Sequence, residues 1–360
     1  MNNKIKSVLL KFENRGFKAY VVGGFVRDYL LGRASYDVDI CTNAKPNEIM
    51  EILDISNTSN NYGGVHIKDS LYNYDITTFR KEIKYENRRP VEFEYVNTIE
   101  EDIIRRDFTI NALYMDLNGN IIDLVDGKKD LEDKIIRSVG DFKTKMVEDP
   151  LRMLRAIRFA SLLNFKIEDN LYNYISLNKN LINTLSITRK KEELDNIFSN
   201  SNKLEGINII KNLKLMDVLD IKFDKEVNYC EDPLGIWAQI EYTNYEFTKR
   251  EKKTIDDVRN IIKYAIIDNT TLYEYGLYPC IIAGEILGID ISYISSLYKD
   301  LPIYSINDIN INGKDIESIL NIKPSKKIKD ILNDIELNIL DNNLNNNYED
   351  IKEYILNTWR

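Results

Sequence analysis

The feature that most limits how this chain can fold is a change of hydrophobic period about a third of the way along it. Up to about residue 125, apolar residues alternate in short runs bounded by glycine, proline and asparagine. Beyond about Leu131 they recur at helical spacing. KAYVVGG reads as a buried strand ending on two glycines, FVRDYLLG as a short helix stopped at Gly32, and YDVDI as an alternating strand. Pro46 suits the first turn of a helix running to about Leu53. VHI and NYDITTF are further strands, and ALYMD with NIIDL forms a hairpin about Asn118-Gly119. DPLRMLRAIRFASLL then predicts a strong helix, with Leu151, Leu154, Ile157 and Leu162 on its apolar side. ITRKKEELDNIF and GINIIKNLKLMDVL follow at the same spacing. The expectation is an α/β head followed by an all-α remainder.

Composition removes several chemistries. The chain has 360 residues, enough for two or more domains, and a single histidine, His66. Multi-histidine metal sites cannot be built from it, so a catalytic metal must be held mainly by carboxylates, which favours magnesium or manganese. His66 lies in the strand pattern VHI and is expected to serve the fold. Cys41, Cys230 and Cys280 are scattered and odd in number, which fits a reducing compartment. No apolar run approaches the ~20 residues of a membrane span, and the N-terminal apolar run is too short for a signal peptide. A cytoplasmic protein is expected. The net charge of −9 argues against a uniformly basic nucleic-acid surface, yet local basic clusters stand at Lys143 to Arg158, Arg189 to Lys191, Lys249 to Lys253 and Lys323 to Lys329.

Asp37-Val38-Asp39 lies on a predicted strand, where residues two apart share a face. Two carboxylates this close repel one another unless a cation lies between them. Magnesium takes one or two carboxylates together with phosphate oxygens, and paired ions about 3.5–4 Å apart serve both attacking and leaving oxygens. A bare DxD is equally compatible with a solvent-facing acidic strand edge. The preceding residues tip the balance: Gly23 and Gly24 let a backbone pass close to phosphate, and Arg27 adds a planar fork of donors. Asp75, in YDITTFR, has strand spacing and is a candidate third acidic group.

Asp149, Arg152, Arg155 and Arg158 recur every three residues and are expected to wind over half of one helix. A carboxylate only accepts hydrogen bonds and a guanidinium only donates them. Asp149 with Arg152 therefore matches the amino donor and ring acceptors of cytosine, and likewise adenine. The same pair meets uracil and guanine with like groups opposed, at roughly 1–3 kcal/mol for each buried mismatch. The plainer alternative is an ion-paired surface helix.

VVGGFVRDYLLGRASYDVDICT closely resembles the first motif of class II tRNA nucleotidyltransferases, the CCA-adding and poly(A) polymerase family. RRDFTINALYMD, DLVDGKKDLEDKIIRSVGD and EDPLRMLRAIRF (from Glu148) are similar to the next three motifs. The resemblance implies a nucleotidyltransferase head over residues 1–130, a helical neck over 131–200, a body over 201–275 and a tRNA-binding tail over 276–360, in an elongated arrangement. It implies Mg2+ (or Mn2+) on Asp37 and Asp39, and nucleotide binding by Gly24, Arg27, Arg106, Asp149, Arg152, Arg155 and Arg158. Gly23, Asp75, Asp107, Glu148 and Arg189 are further candidates, with Arg155 and Arg158 nearer the triphosphate and Arg189 with Glu193 bracing the selecting helix. The implied activity is addition of C, C and A to the 3′ end and acceptor arm of tRNA from CTP and ATP. The alternatives are CC-only, A-only or poly(A) addition, or a non-catalytic RNA-binding protein on the same fold. The segment from Lys81 to Val96 is expected to be a mobile loop. Oligomeric state is left open.

Overall fold

Alternation in the first third becomes a sheet, and helical period in the rest becomes packed helices. The computed structural model describes residues 2–55, 64–86 and 89–360, and contacts divide the chain into two compact units, 1–219 and 220–360. In the first unit, α1 (Asn3–Glu13) leads into β1 (Ala19–Val22), α2 (Gly24–Leu30), β2 (Asp37–Thr42) and α3 (Pro46–Leu53). Then come β3 (Val65–Lys68), β4 (Asn73–Thr78), β5 (Arg80–Glu86), β6 (Arg89–Tyr95), α4 (Ile99–Asp102), β7 (Tyr114–Met115) and β8 (Ile121–Ile122). Among the described residues the main sheet has the strand order β3-β4-β2-β1-β7-β8. β1 lies antiparallel to β2, and β2 parallel to β4, with Asp39 beside Asp75 in register. The expected hairpin is present as β7 and β8, with Gly119 at φ 86°.

The two faces of β2 have different fates. Val38 and Ile40 are buried on one face. On the other, Asp37 and Asp39 stay open, while the next residue of that row, Cys41, is buried with Phe79, Val96, Ile99 and Ile103. The row of side chains is thus covered at one end and exposed where the carboxylates stand.

The segment expected to be a loop is instead an antiparallel ribbon, β5 paired with β6. Its charged residues hid a strand pattern, because a two-stranded ribbon can be solvated on its faces and still satisfy its backbone. Asn87 and Arg88 lie outside the described residues.

Six helices complete the described part of the unit: α5 (Gly127–Asp133), α6 (Phe142–Glu148), α7 (Leu151–Leu163), α8 (Asp169–Leu177), α9 (Ile187–Phe198) and α10 (Lys203–Asn212), the last packed against α7 and α9. In α7, Met153, Leu154, Ala156, Ile157 and Ala160 are buried, at roughly 1.5–3 kcal/mol for each large side chain. Asn164 in the left-handed region ends the helix.

The second unit holds α11 (Pro233–Gln239), α12 (Lys249–Tyr264), α13 (Asn269–Tyr275), α14 (Leu277–Leu287), α15 (Ile291–Lys299), α16 (Gly313–Leu320), α17 (Lys326–Leu340) and α18 (Tyr348–Thr358). Its last helices close on a core built almost wholly of isoleucine, from Ile303 to Ile355. The basic run at the start of α12 is an ion-paired surface, with Lys252 to Asp256 and Lys253 to Asp257. Among the described residues no helix is long and apolar enough to cross a membrane.

Candidate active site

The sheet's open face and the start of α7 enclose a cleft of about 550 Å³ in the first unit. Gly23, Gly24, Arg27, Asp39, Arg106, Asp107, Asp149, Arg152 and Arg155 all line it. Residues from Gly23 to Arg155, 132 positions apart in sequence, are gathered here, as the motif reading expected. Six arginines and four carboxylates share the lining, so a chain of net charge −9 has a cation-rich cleft.

At the floor, Asp39 is open to water yet ringed by protein atoms. That crowding pushes its carboxyl up to about 6; Arg106 opposes the rise, and the charges of Asp75 and Asp37 add to it. Gly23 has a φ of 80°, and a Cβ there would stand 2.9 Å from Asp39 Oδ2. Glycine thus serves both the backbone turn and the space around the carboxylate. Asp37 shares the strand face, is exposed, and accepts a 2.8 Å hydrogen bond from Asn73. Asp75 stands next to Asp39 across the strands, but its Oδ1 lies 2.9 Å from His66 Nδ1. His66 is therefore a surface partner of Asp75 and not a core residue. Among the described residues no three His, Cys, Asp or Glu side chains are gathered closely enough to hold a metal.

The arginines are held from behind. Arg27 donates to both oxygens of Asp28 and, through Nη1, to Asn111 Oδ1 at 2.8 Å. Asp102, fully buried, accepts from Arg105 Nε, Arg106 Nη2, the Tyr114 hydroxyl and the Arg80 amide. Burial alone would raise the Asp102 pKa; Arg106 and Arg105 outweigh it and lower it. The Asp102 ion pairs are thus a cleft feature as well as a structural one. Asp107 accepts from Arg155 Nε at 2.9 Å and also from Nη2. Burial opposes its ionisation, yet the Arg155 charge brings its pKa down to about 2.

Asp149 is not on the helix. It caps the end of α6 in an extended conformation and accepts from the Leu151 amide, so only the three arginines wind along α7. Arg152 is buried in the first turn and gives Nη1 to the Lys145 carbonyl at 3.0 Å and to Glu148 at 3.4 Å. Glu148 itself lies outside the cleft lining, in an adjoining cavity. Arg158 is also outside the lining: it pairs with Glu193 of α9 at 3.4 Å and lies over the Phe159 ring. Arg189 is exposed and pairs with Glu192, far from any role in the cleft. The bracing of α7 by α9 runs through Glu193 and Arg158, because Glu193 faces inward and Arg189 outward on the same helix.

Sequence reasoning passed over Asn111, Phe159, Arg80 and Glu82, which also line the cleft. Phe159 is the aromatic beneath Arg27, Arg155 and Arg158, with guanidinium carbons 4.7–5.4 Å from its centroid. Its signal was present: an aromatic embedded among arginines at three-residue spacing.

Comparison with known proteins agrees with this architecture. Residues 19–137 match the profile described as the poly A polymerase head domain, and residues 243–355 that of tRNA nucleotidyltransferase domain 2. The CCA-adding enzyme of Ligilactobacillus salivarius is 36% identical, over 96% of this chain and 94% of its own. That of Staphylococcus epidermidis is 32% identical, over 97% and 96%. The solved Bacillus stearothermophilus CCA-adding enzyme in complex with CTP superposes with a TM-score of 0.80 at 23% identity, covering 99% of this chain and 96% of that one. The Thermotoga maritima CCA-adding enzyme complexed with tRNA gives 0.71 at 21% identity, covering 99% and 95%.

Proposed function

The chain belongs to the CCA-adding enzyme family of nucleotidyltransferases, and on that premise we propose that it adds C, C and A to the 3′ end of tRNA from CTP and ATP, releasing pyrophosphate. The observation that carries this reading is the meeting of Asp39 with Asp149 and Arg152 in one cleft, a phosphoryl-transfer end joined to a base-reading end. Enzymes of this kind use divalent metal ions. Asp37 and Asp39 fit such an ion: they share an exposed strand face, Gly23 leaves room beside Asp39, and the Asp39 carboxyl, raised first by burial and then by the charges of Asp75 and Asp37 against the pull of Arg106, would gain from a cation beside it. Mg2+ on these two carboxylates, with Mn2+ able to replace it, would supply charge neutralisation at the reacting phosphate.

The remaining work falls to protein side chains. Arg27 and Arg106, each fixed from behind by carboxylate or amide partners, offer donors to the triphosphate. Arg155, locked on Asp107, holds a positive charge in the α7 wall. Asp149 accepts from the exocyclic amine of cytosine or adenine, and Arg152 donates to the ring acceptor beside it. The side chains thus stand where a template base would. The tRNA 3′ hydroxyl attacks the α-phosphate, the new phosphodiester forms, and the bond to pyrophosphate breaks. Catalysis is positioning and electrostatic stabilisation.

The test supplies tRNA lacking its 3′ end together with CTP and ATP and counts the bases added. Three additions in the order C, C, A support the proposal. A stop at CC, addition of A to a CC end alone, or a long A tail each assigns a narrower or different relative. No addition at all leaves the RNA-binding alternative.

A further inference from the structure

Arg152 lines two spaces at once. The cleft lies on one side, and on the other is a second cavity of about 280 Å³ bordered by Arg105, Lys145 and Glu148. A guanidinium with room on both sides reads a base reliably only if something keeps it on the cleft side. Lys145, on the preceding helix α6, is 7% exposed. Its Nζ donates to the carbonyls of Ile104 and Arg106, the latter at 2.5 Å. Its own backbone carbonyl accepts Arg152 Nη1 at 3.0 Å. Arg152 Nη2 also approaches the Arg105 carbonyl at 3.5 Å, between the two oxygens that Lys145 holds. One residue therefore ties the 104–106 segment with its side chain and Arg152 with its main chain.

An ammonium is an expensive way to fill a buried space, since apolar replacements of similar volume often cost nothing. The expense is visible: burial draws the Lys145 pKa down to about 8. A buried ammonium aimed at two carbonyls gives direction, which a methylene chain does not.

We propose that Lys145 is a positioning residue for base selection, holding the Arg105–Arg106 segment and Arg152 at a set separation so that Arg152 faces the incoming base. The proposal rests on Asp149 and Arg152 being the selecting pair. Lys145 touches neither nucleotide nor metal in this scheme and acts through Arg152.

The experiment measures kcat and KM for CTP and for UTP with Lys145→Met, Lys145→Gln and Lys145→Arg, each checked for folding by circular dichroism, with Arg152→Ala as reference. For Lys145→Met the expected result is a fall of about tenfold in the CTP-over-UTP preference, carried mainly by KM, the worth of roughly one buried hydrogen bond. Lys145→Arg, which keeps a cation and several donors, retains most of the preference. A preference within twofold of the wild type in folded Lys145→Met overturns the proposal; if that variant does not fold, Lys145→Gln decides by the same threshold. Should Arg152→Ala itself leave the preference intact, the selecting-pair reading has failed. Loss with Arg152→Ala but not with the Lys145 variants refutes the role of Lys145 alone.

Discussion

Asp39 shows how much a single position depends on its neighbours. As one half of a DxD it was a weak indication; beside Gly23, and in register with Asp75, it is a carboxylate whose pKa is pushed up to about 6. Asp37→Asn and Asp39→Asn should each reduce nucleotide addition by on the order of a thousandfold, about 4 kcal/mol of lost transition-state stabilisation, with the melting curve nearly unchanged. Near-normal turnover in folded Asp39→Asn would remove the metal assignment. Asp149→Ala combined with Arg152→Ala should lower discrimination against UTP and GTP by roughly ten- to a hundredfold. Competition assays with mixed triphosphates measure this directly, and unchanged discrimination would refute the side-chain template. Most cleft residues were legible because their types are chemically demanding at fixed spacing. Arg158, Glu148 and Arg189 were harder, because spacing tells which residues are near one another but not which way each faces. Arg158 turns to Glu193 and Arg189 to solvent for that reason.

At the scale of elements, period carried the reading well where one face is buried. β2, α3, α7 and α9 lie within a residue or two of the pattern that predicts them. The β5–β6 ribbon was missed although Val91, Phe93 and Tyr95 alternate with Glu92 and Glu94, because the density of charge in the segment masks that short period. Helix α6 illustrates a different limit: nothing in FKTKMVE announces that Lys145 is buried beside Met146. That burial has a measurable consequence. The folded pKa, about 8, lies below the ordinary lysine value of 10.5; burial and Arg152 lower it, while Asp107, Glu148 and Glu82 oppose. Between these values the unfolded chain binds more protons than the folded one, so the residue's contribution to stability rises with pH across that window. Below about pH 8 the cost of the buried charge is fully present. Urea midpoints of the wild type relative to Lys145→Met should therefore improve between pH 8 and 10, and a flat difference would show that the ammonium is not desolvated.

For the whole molecule, net charge was the least informative quantity. A value of −9 speaks against an RNA partner, yet the cleft gathers six arginines, and the acidic residues lie largely elsewhere. If phosphate contacts carry tRNA binding, the logarithm of affinity should fall linearly with that of salt concentration, by about 0.9 for each contact as on duplex DNA. Filter binding across a salt series gives the slope, and a slope near zero would contradict a phosphate-dominated interface. The division at Leu219 was not readable from composition, because isoleucine and asparagine are abundant on both sides of it. The scarcest residue has the opposite property. Across 360 positions there is one imidazole, and it stands beside Asp75 on the same sheet as Asp39. A proton NMR spectrum of the unlabelled protein therefore contains one histidine Hε1 resonance, an intrinsic reporter whose displacement on adding cation or triphosphate follows the arrival of charge at that sheet without any engineered probe.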